Sequence, residues 1–194
     1  MEYISTRNSK INSTFIDVFI NALAPDGGLY VPKNLPIFTL KELNKLKKLN
    51  YKELASSIIF KFCSDEFKKK EIDEIVEKSY KNFRKKEVVV LKKYEKKYIL
   101  ELFHGPTLAF KDIAMQVIGN MYEKILFKKN SKLNIVVATS GDTGAAAIDA
   151  IKGKSNLNIF VLHPNNRISS VQRKLMTTVE ENNVFNIAID GNFD

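Results

Sequence analysis

A glycine-rich loop between an apolar strand and a helix is the sharpest chemical feature of the sequence. It reads SGDTGA at residues 140–145 and follows the apolar segment 135–138. In a parallel sheet such a loop lies at the carboxyl end of its strand, where folds of this type bind ligands. Its glycines allow close approach of the backbone, Ser140 and Thr143 add hydroxyl donors, and the helix start offers unpaired N–H groups to an anion. The alternative is a simple capped helix start, with Asp142 or Thr143 as the N-cap.

A lysine in an unusual setting, Lys111, forms the second feature. It belongs to the segment FHGPTLAFKD at residues 103–112, whose Gly-Pro pair ends a strand, so a helix is predicted to start near Thr107. Lys111 then lies in the first turns of that helix, where the helix dipole disfavours another positive charge. Apolar neighbours favour its partial burial, and both effects favour the neutral amine that a Schiff-base lysine needs. The alternative is a surface lysine paired with Asp112 or Glu101.

The other reactive residue types form no recognisable catalytic or metal-binding pattern. His104 and His163 are the only histidines, each beside a strand end, and no spacing of Cys, Asp or Glu suggests a metal site. A structural, hydrogen-bonded role is therefore predicted for each histidine. The only cysteine, Cys63, lies on the apolar face of a predicted helix and is assigned to the core. The nucleophile elbow of a serine hydrolase is missing.

The elements that must position these residues change character along the chain. The first eighty or so residues are predicted to be helical apart from an extended segment at residues 29–31. Side-chain caps at Ser13 or Thr14, at Thr39 and at Asn50 mark three of the helix starts.

Beyond residue 86 the pattern is that of strands, first as a pair around a polar turn and then alternating with single helices. Strands that are apolar on both faces and separated by single helices predict a parallel sheet of doubly wound type, in an α/β fold. The strands are predicted at residues 88–91, 98–103, 135–138, 159–162 and 185–189.

The composition is that of an ordinary globular protein with a basic surface. The formal net charge is +9, but only four of the 31 basic residues are arginine, whereas phosphate and base recognition favours arginine. A solvated surface is therefore predicted, without nucleic acid as a partner. No apolar run is long enough for a bilayer, the N-terminal residues lack the apolar stretch of a secretory signal, and one cysteine excludes a disulfide framework. The expected location is cytoplasmic, without a membrane partner.

Six segments, taken in order, resemble threonine synthases. LFHGPTLAFKDIA and VATSGDTG are highly specific motifs when both occur in one chain at this separation. The resemblance implies the fold of the pyridoxal-phosphate enzymes similar to tryptophan synthase β-subunits. It further implies a threonine synthase N-terminal domain over residues 1–85 and a partial catalytic domain over residues 86–194. The matching segments are residues 3–7, 24–32, 102–114, 137–144, 163–173 and 186–194.

The same resemblance implies an activity and a site. The activity is that of a carbon–oxygen lyase acting on phosphate, which converts O-phospho-L-homoserine and water into L-threonine and phosphate. Lys111 would hold pyridoxal 5'-phosphate as a Schiff base and then act as the general base. Asp142, which stands where many relatives carry Asn, would also contact the ring hydroxyl of the cofactor. The residues implied to bind the substrate are Thr139, Ser140, Gly141, Asp142 and Thr143.

The resemblance also predicts that part of the site lies elsewhere. In this family the loop that binds the cofactor phosphate, and the group facing the pyridine nitrogen, come after the position of Asp194. We therefore expect these residues to be a fragment or one half of a split enzyme, inactive alone, with the missing C-terminal half as a partner. The alternatives are a threonine-synthase-like phospholyase, which would release a keto acid, and a non-catalytic remnant or partner-binding module.

Overall fold

A computed structural model describes residues 1–191 of the chain. The chain divides into two compact units, Met1–Glu77 and Lys78–Asp194. The predicted boundary between residues 85 and 86 rests on a change in sequence character and stays a prediction. The last three residues of the matching segment 186–194 lie outside the described residues.

The first unit is mainly helical, with one small antiparallel sheet in the order β2–β1–β3. Thr14, Thr39 and Asn50 cap the first three helices through their side chains, as predicted, and the last two form capping boxes with glutamates three residues later. The elements are β1 (Tyr3–Ser5), β2 (Asn12–Ser13), α1 (Phe15–Asn21), β3 (Tyr30–Pro32), α2 (Leu40–Leu46), α3 (Tyr51–Cys63) and α4 (Lys69–Tyr80), the last of which continues past the division.

The core of this unit includes the cysteine, as predicted. Cys63 is 1% exposed at the end of α3. Burial raises the pKa of its thiol to about 12, so the reactive thiolate is scarce at neutral pH. The side chain therefore serves packing and not redox or nucleophilic chemistry.

The second unit is an α/β structure in which a hairpin precedes a parallel sheet. Strands β6, β7 and β8 pair in parallel in that order, which confirms the prediction of a parallel sheet. The elements are β4 (Val90–Tyr94), β5 (Lys97–Glu101), α5 (Asp112–Lys129), β6 (Leu133–Ala138), α6 (Asp142–Ile151), β7 (Leu157–Pro164), α7 (Ser170–Thr177) and β8 (Val184–Ile189).

Helix α6 is the buried centre of this unit. Its alanine-rich sequence allows close packing, and Ile148 is fully buried. Helix α5 approaches it so closely at Gly119 that a Cβ there would lie 2.5 Å from the carbonyl oxygen of Ala150. Only glycine fits at that contact, which fixes the position of α5 beside α6.

The parallel sheet is buried on one face only within residues 1–191, so the prediction of burial on both faces is wrong for this part of the chain. Ile159 and Val161 of β7 are fully buried, whereas Val136 on the opposite face is 66% exposed. On that face Val136 is in register with Phe160, which stacks on Phe185 with ring centroids 4.6 Å apart. Val136 and Phe185 are both exposed in the part of the chain that the structure describes. None of the helices in residues 1–191 is both long and apolar enough to cross a membrane.

Candidate active site

A glycine in the loop after β6 caps the start of helix α6. Gly141 is the N-cap residue, so the prediction of Asp142 or Thr143 as the cap is wrong. Its backbone has φ +139° and ψ −70°, a conformation open to glycine but strained for other residues. Because this conformation depends on the packing around the loop, local capping preferences did not reveal it.

Thr139 holds the backbone of this loop through its side-chain hydroxyl. The residue is 3% exposed, and its Oγ1 accepts hydrogen bonds from the N–H groups of Gly141 and Gly144, both at 3.0 Å. Its own N–H donates to the carbonyl of Leu162, which continues the pairing of β6 with β7. Of the residues implied to bind the substrate, Thr139 thus has its hydroxyl occupied within the loop.

The exposed part of the loop carries unused hydrogen-bond donors. Ser140 and Asp142 are exposed, and Thr143 is partly exposed. In the part of the chain that the structure describes, the N–H groups of these three residues have no protein acceptor. They point from the start of a helix, where the dipole favours negative charge, so the loop can bind a carboxylate. Among residues 1–191, no cluster of His, Cys, Asp or Glu could hold a metal ion.

A residue without a predicted role, Gln172, contacts this loop. Its Nε2 donates to Oδ1 of Asp142 at 2.6 Å. Gln172 lies in the matching segment 163–173, which is the only sequence signal that could have drawn attention to it. The two residues are 30 positions apart, so their contact depends on how α7 packs.

Lys111 lies at the N-cap position of α5, which begins at Asp112. The predicted helix start near Thr107 is wrong, because Leu108 has φ +65° and breaks any helix through this segment. Lys111 is partly buried, and its Nζ lies 4.4 Å from the ring centroid of Phe110. The amine is therefore next to an aromatic face and at the positive end of the helix dipole.

Both candidate ion-pair partners of Lys111 are occupied elsewhere. Asp112 accepts from the N–H of Thr107 at 2.8 Å and from its hydroxyl at 2.6 Å. Glu101 pairs with Lys92 and with His104 Nε2, and the hydrogen bond from Lys92 is the main cause that lowers the pKa of Glu101. Within residues 1–191, Lys111 has no carboxylate partner, which removes the alternative of a paired surface lysine.

The carboxylate of Asp112 is the anchor of the segment before Lys111. The residue is fully buried, and burial raises the pKa of its carboxyl against the opposing effect of the two Thr107 hydrogen bonds. A Cβ at Gly105 would lie 2.4 Å from Oδ2 of Asp112, so this turn requires glycine. The backbone around Lys111 is thus held by a buried acceptor and not by the lysine itself.

The two histidines differ in their hydrogen bonding. His104 is 7% exposed and bonds to Glu101, in line with its predicted structural role. His163 is 4% exposed at the end of β7, and among the described residues its Nδ1 has no partner, so the predicted hydrogen bonding is wrong for this atom.

The segment that leads to Lys111 meets α6, the helix that starts at the loop. Pro106 and Thr107 line a pocket of about 560 Å³ together with Ala145 and Ile148 of α6. Lys111 is not among the residues that line this pocket. The segment before Lys111 and the helix that starts at the loop thus share the lining of one pocket.

The amino-acid sequence is similar to those of threonine synthases. The model described as "Threonine synthase N terminus" matches residues 2–80. The threonine synthase of Pseudomonas aeruginosa is 46% identical over 100% of this chain and 42% of its own length. That of Saccharomyces cerevisiae is 39% identical over 99% of this chain and 40% of its own length.

Solved structures agree. A PLP-bound threonine synthase from Brucella melitensis matches with a TM-score of 0.94 and 42% identity, over 100% of this chain and 42% of that one. The yeast threonine synthase matches with a TM-score of 0.94 and 38% identity, over 100% of this chain and 41% of that one. The chain thus spans about two fifths of the length of these relatives.

The fold and the two motifs define an α/β protein of the tryptophan synthase β-like class, represented here by the N-terminal part of that fold. Relatives named threonine synthase-like 2 also match, at 35% identity. In sequence and in structure the chain corresponds to the N-terminal part of threonine synthases.

Proposed function

We propose that the chain serves threonine synthase chemistry, the conversion of O-phospho-L-homoserine and water into L-threonine and phosphate, with pyridoxal 5'-phosphate bound through Lys111. The observation that carries the proposal is the amine of Lys111, which lies at the start of α5 without a carboxylate partner in residues 1–191. The match to individual threonine synthases over the whole chain supports it, and one of the matching structures is of a PLP-bound enzyme.

The residues present fit this cofactor and its substrate. A partly buried primary amine suits an aldehyde, and the free N–H groups at the start of α6 suit a substrate carboxylate. When bound, the cofactor supplies an electron sink for negative charge on the substrate carbons. Lys111 would hold it covalently, and Asp142 would accept a hydrogen bond from its ring hydroxyl.

Each part of the chain then has a defined task. The amine Nζ of Lys111 would remove and return protons at the substrate carbons as a general base. Ser140 and the N–H groups of Asp142 and Thr143 hold the substrate carboxylate and so fix which carbon faces Lys111. Thr139 and Asp112 keep the two backbone segments in place.

Complete activity is proposed to need the region that these 194 residues do not match in their relatives. The relatives continue for more than half of their length outside the match. The exposed apolar face around Val136 and Phe185 is a suitable surface for that region, because parallel sheets are normally covered on both faces.

Covalent trapping tests the role of Lys111. The 194-residue chain is incubated with pyridoxal 5'-phosphate, reduced with borohydride and digested, and the labelled peptide is identified by mass spectrometry. We expect the label on Lys111, its loss in Lys111→Ala, and its retention in Lys174→Ala, a surface control. Label spread evenly over surface lysines, unchanged in Lys111→Ala, would contradict the proposal.

Product analysis tests the reaction. The chain is combined with a polypeptide that corresponds to the rest of a relative, supplied with O-phospho-L-homoserine and cofactor, and assayed for products. We expect threonine and phosphate from the combination and neither from the isolated chain. Release of 2-oxobutyrate in place of threonine would instead identify a phospholyase, and failure of complementation together with absence of covalent trapping would identify a non-catalytic module.

A further inference from the structure

Helix α7 lies on the glycine loop through two side chains one helical turn apart. A Cβ at Gly141 would lie 2.6 Å from Cδ of Gln172, and a Cβ at Gly144 would lie 2.6 Å from Sδ of Met176. Residues at i and i+4 share a helix face, so Gln172 and Met176 contact the loop together. Met176 is fully buried and supplies packing, whereas Gln172 adds a directed hydrogen bond.

The orientation of the Gln172 amide is fixed from both sides. Ser169, the N-cap of α7, accepts from the N–H of Gln172 at 3.2 Å and donates its hydroxyl to Oε1 at 3.0 Å. Asp142 offers only acceptor oxygens when ionised, so Nε2 must face it. The amide therefore has one stable orientation, with its donor on Oδ1 of Asp142.

The acceptor of this hydrogen bond, the Asp142 carboxylate, belongs to the loop whose N–H groups are proposed to bind the substrate. Asp142 is the first residue of α6, and a carboxylate at a helix start is attracted to the unpaired N–H groups there. Those are the groups proposed to bind the substrate carboxylate. A carboxylate of the protein itself in that position would block them.

We infer that Gln172 is a positioning residue that holds the Asp142 carboxylate on the α7 side and so keeps the N–H groups of the loop free for the substrate carboxylate. The role in substrate binding rests on the proposed function, whereas the effect on Asp142 does not. It gives the segment 163–173 a task that its sequence alone does not reveal.

A double-mutant cycle in the unliganded 194-residue chain tests this inference. Gln172→Met keeps the length of the side chain but cannot donate to Asp142, and Asp142→Ala removes the competing carboxylate. The readout is the rate of amide hydrogen exchange with water at Thr143 and residue 142, measured by NMR.

We expect Gln172→Met to slow exchange about threefold or more when Asp142 is present, the scale of a carboxylate at a helix start. In the Asp142→Ala background the same change should have little effect. Equal effects in both backgrounds would show a purely structural role, and no effect in either would also overturn the inference. Lys174→Met, on an exposed position of the same helix, is the control, and Gln172→Glu, which repels Asp142, replaces Gln172→Met if that variant does not fold.

The same four proteins are then titrated with O-phospho-L-homoserine, with the amide shifts of the loop as the signal. We expect Gln172→Met to weaken binding about threefold or more in the presence of Asp142 only, because the released carboxylate then competes. Equal weakening in both backgrounds would contradict the inference. A wild-type chain that shows no shift at all would contradict the proposed substrate site, while the exchange cycle separately decides the role of Gln172.

Discussion

The hydrogen bonds from Thr107 to the buried carboxylate of Asp112 lead to a prediction about stability. Thr107→Val removes the hydroxyl that donates to Asp112 at 2.6 Å but keeps the N–H that donates at 2.8 Å. Loss of one hydrogen bond to a buried charged group costs about 1.5–3 kcal/mol. Domains of this size have about 5–15 kcal/mol of stability, so the loss is readily measured by urea denaturation at neutral pH.

The pH dependence of this loss distinguishes an effect on the charge of the Asp112 carboxylate from an effect on packing. Burial raises the folded-state pKa of Asp112 above its ordinary value of 3.8. The stability linked to this proton is fully present below the unfolded pKa and is lost as the pH rises through the folded pKa. Thr107→Val removes a donor that stabilises the ionised form and raises the folded pKa further. The difference in free energy of unfolding between variant and wild type should therefore be largest at neutral pH. It should shrink toward about pH 4, near the ordinary pKa of aspartate.

Thr107→Ser is the matched control, because it keeps the hydroxyl and removes only a methyl group. We expect it to retain most of the stability and the pH profile of the wild type. A loss in Thr107→Val that is the same at both pH values would refute the reasoning. So would an equal loss in Thr107→Ser, which would assign the effect to packing.

Two substitutions and one labelling experiment test other positions. Gly105→Ala should destabilise the chain by about 1–3 kcal/mol in urea denaturation, because its Cβ would lie 2.4 Å from Oδ2 of Asp112; an unchanged midpoint would contradict this. Val136→Thr should change the stability of the isolated chain by no more than about 0.5 kcal/mol, as is usual for surface positions, but should weaken complementation by the remaining region of a relative, measured by titration. Cys63 should react with a thiol reagent only on unfolding, since its thiol has a pKa of about 12; rapid labelling of the native chain would contradict this.

Local interactions in the first unit could be predicted from the sequence. The caps at Thr39 and Asn50 depend on side chains that bond to backbone three residues away, so a short stretch of sequence contains the whole interaction. The order of strands and helices in the second unit was also predicted, because apolar runs and turns mark each element. The site residues and the domain boundary remain predictions.

The wrong predictions share a physical cause, which is dependence on distant packing. The start of α5 depends on a buried carboxylate at Asp112 and on the positive φ of Leu108, neither of which helix preferences indicate. The contact of Gln172 with Asp142 exists only because α7 returns to the loop. The apolar character of β6 suggested burial on both faces, but sequence pattern alone does not tell which part of a fold covers a face.

The backbones of the two candidate motifs, the loop at residues 140–145 and the segment at residues 103–112, are held in the same way. In each, a buried oxygen acceptor binds the backbone of the loop: Oγ1 of Thr139 takes two N–H groups, and the carboxylate of Asp112 takes the N–H and hydroxyl of Thr107. Glycines beside these acceptors leave room for the close approach. Because buried acceptors fix the backbone, the amine of Lys111 and the N–H groups of Ser140, Asp142 and Thr143 have no hydrogen-bond partner within residues 1–191. Gln172 extends this arrangement by holding the carboxylate of Asp142, which belongs to the same loop as those N–H groups.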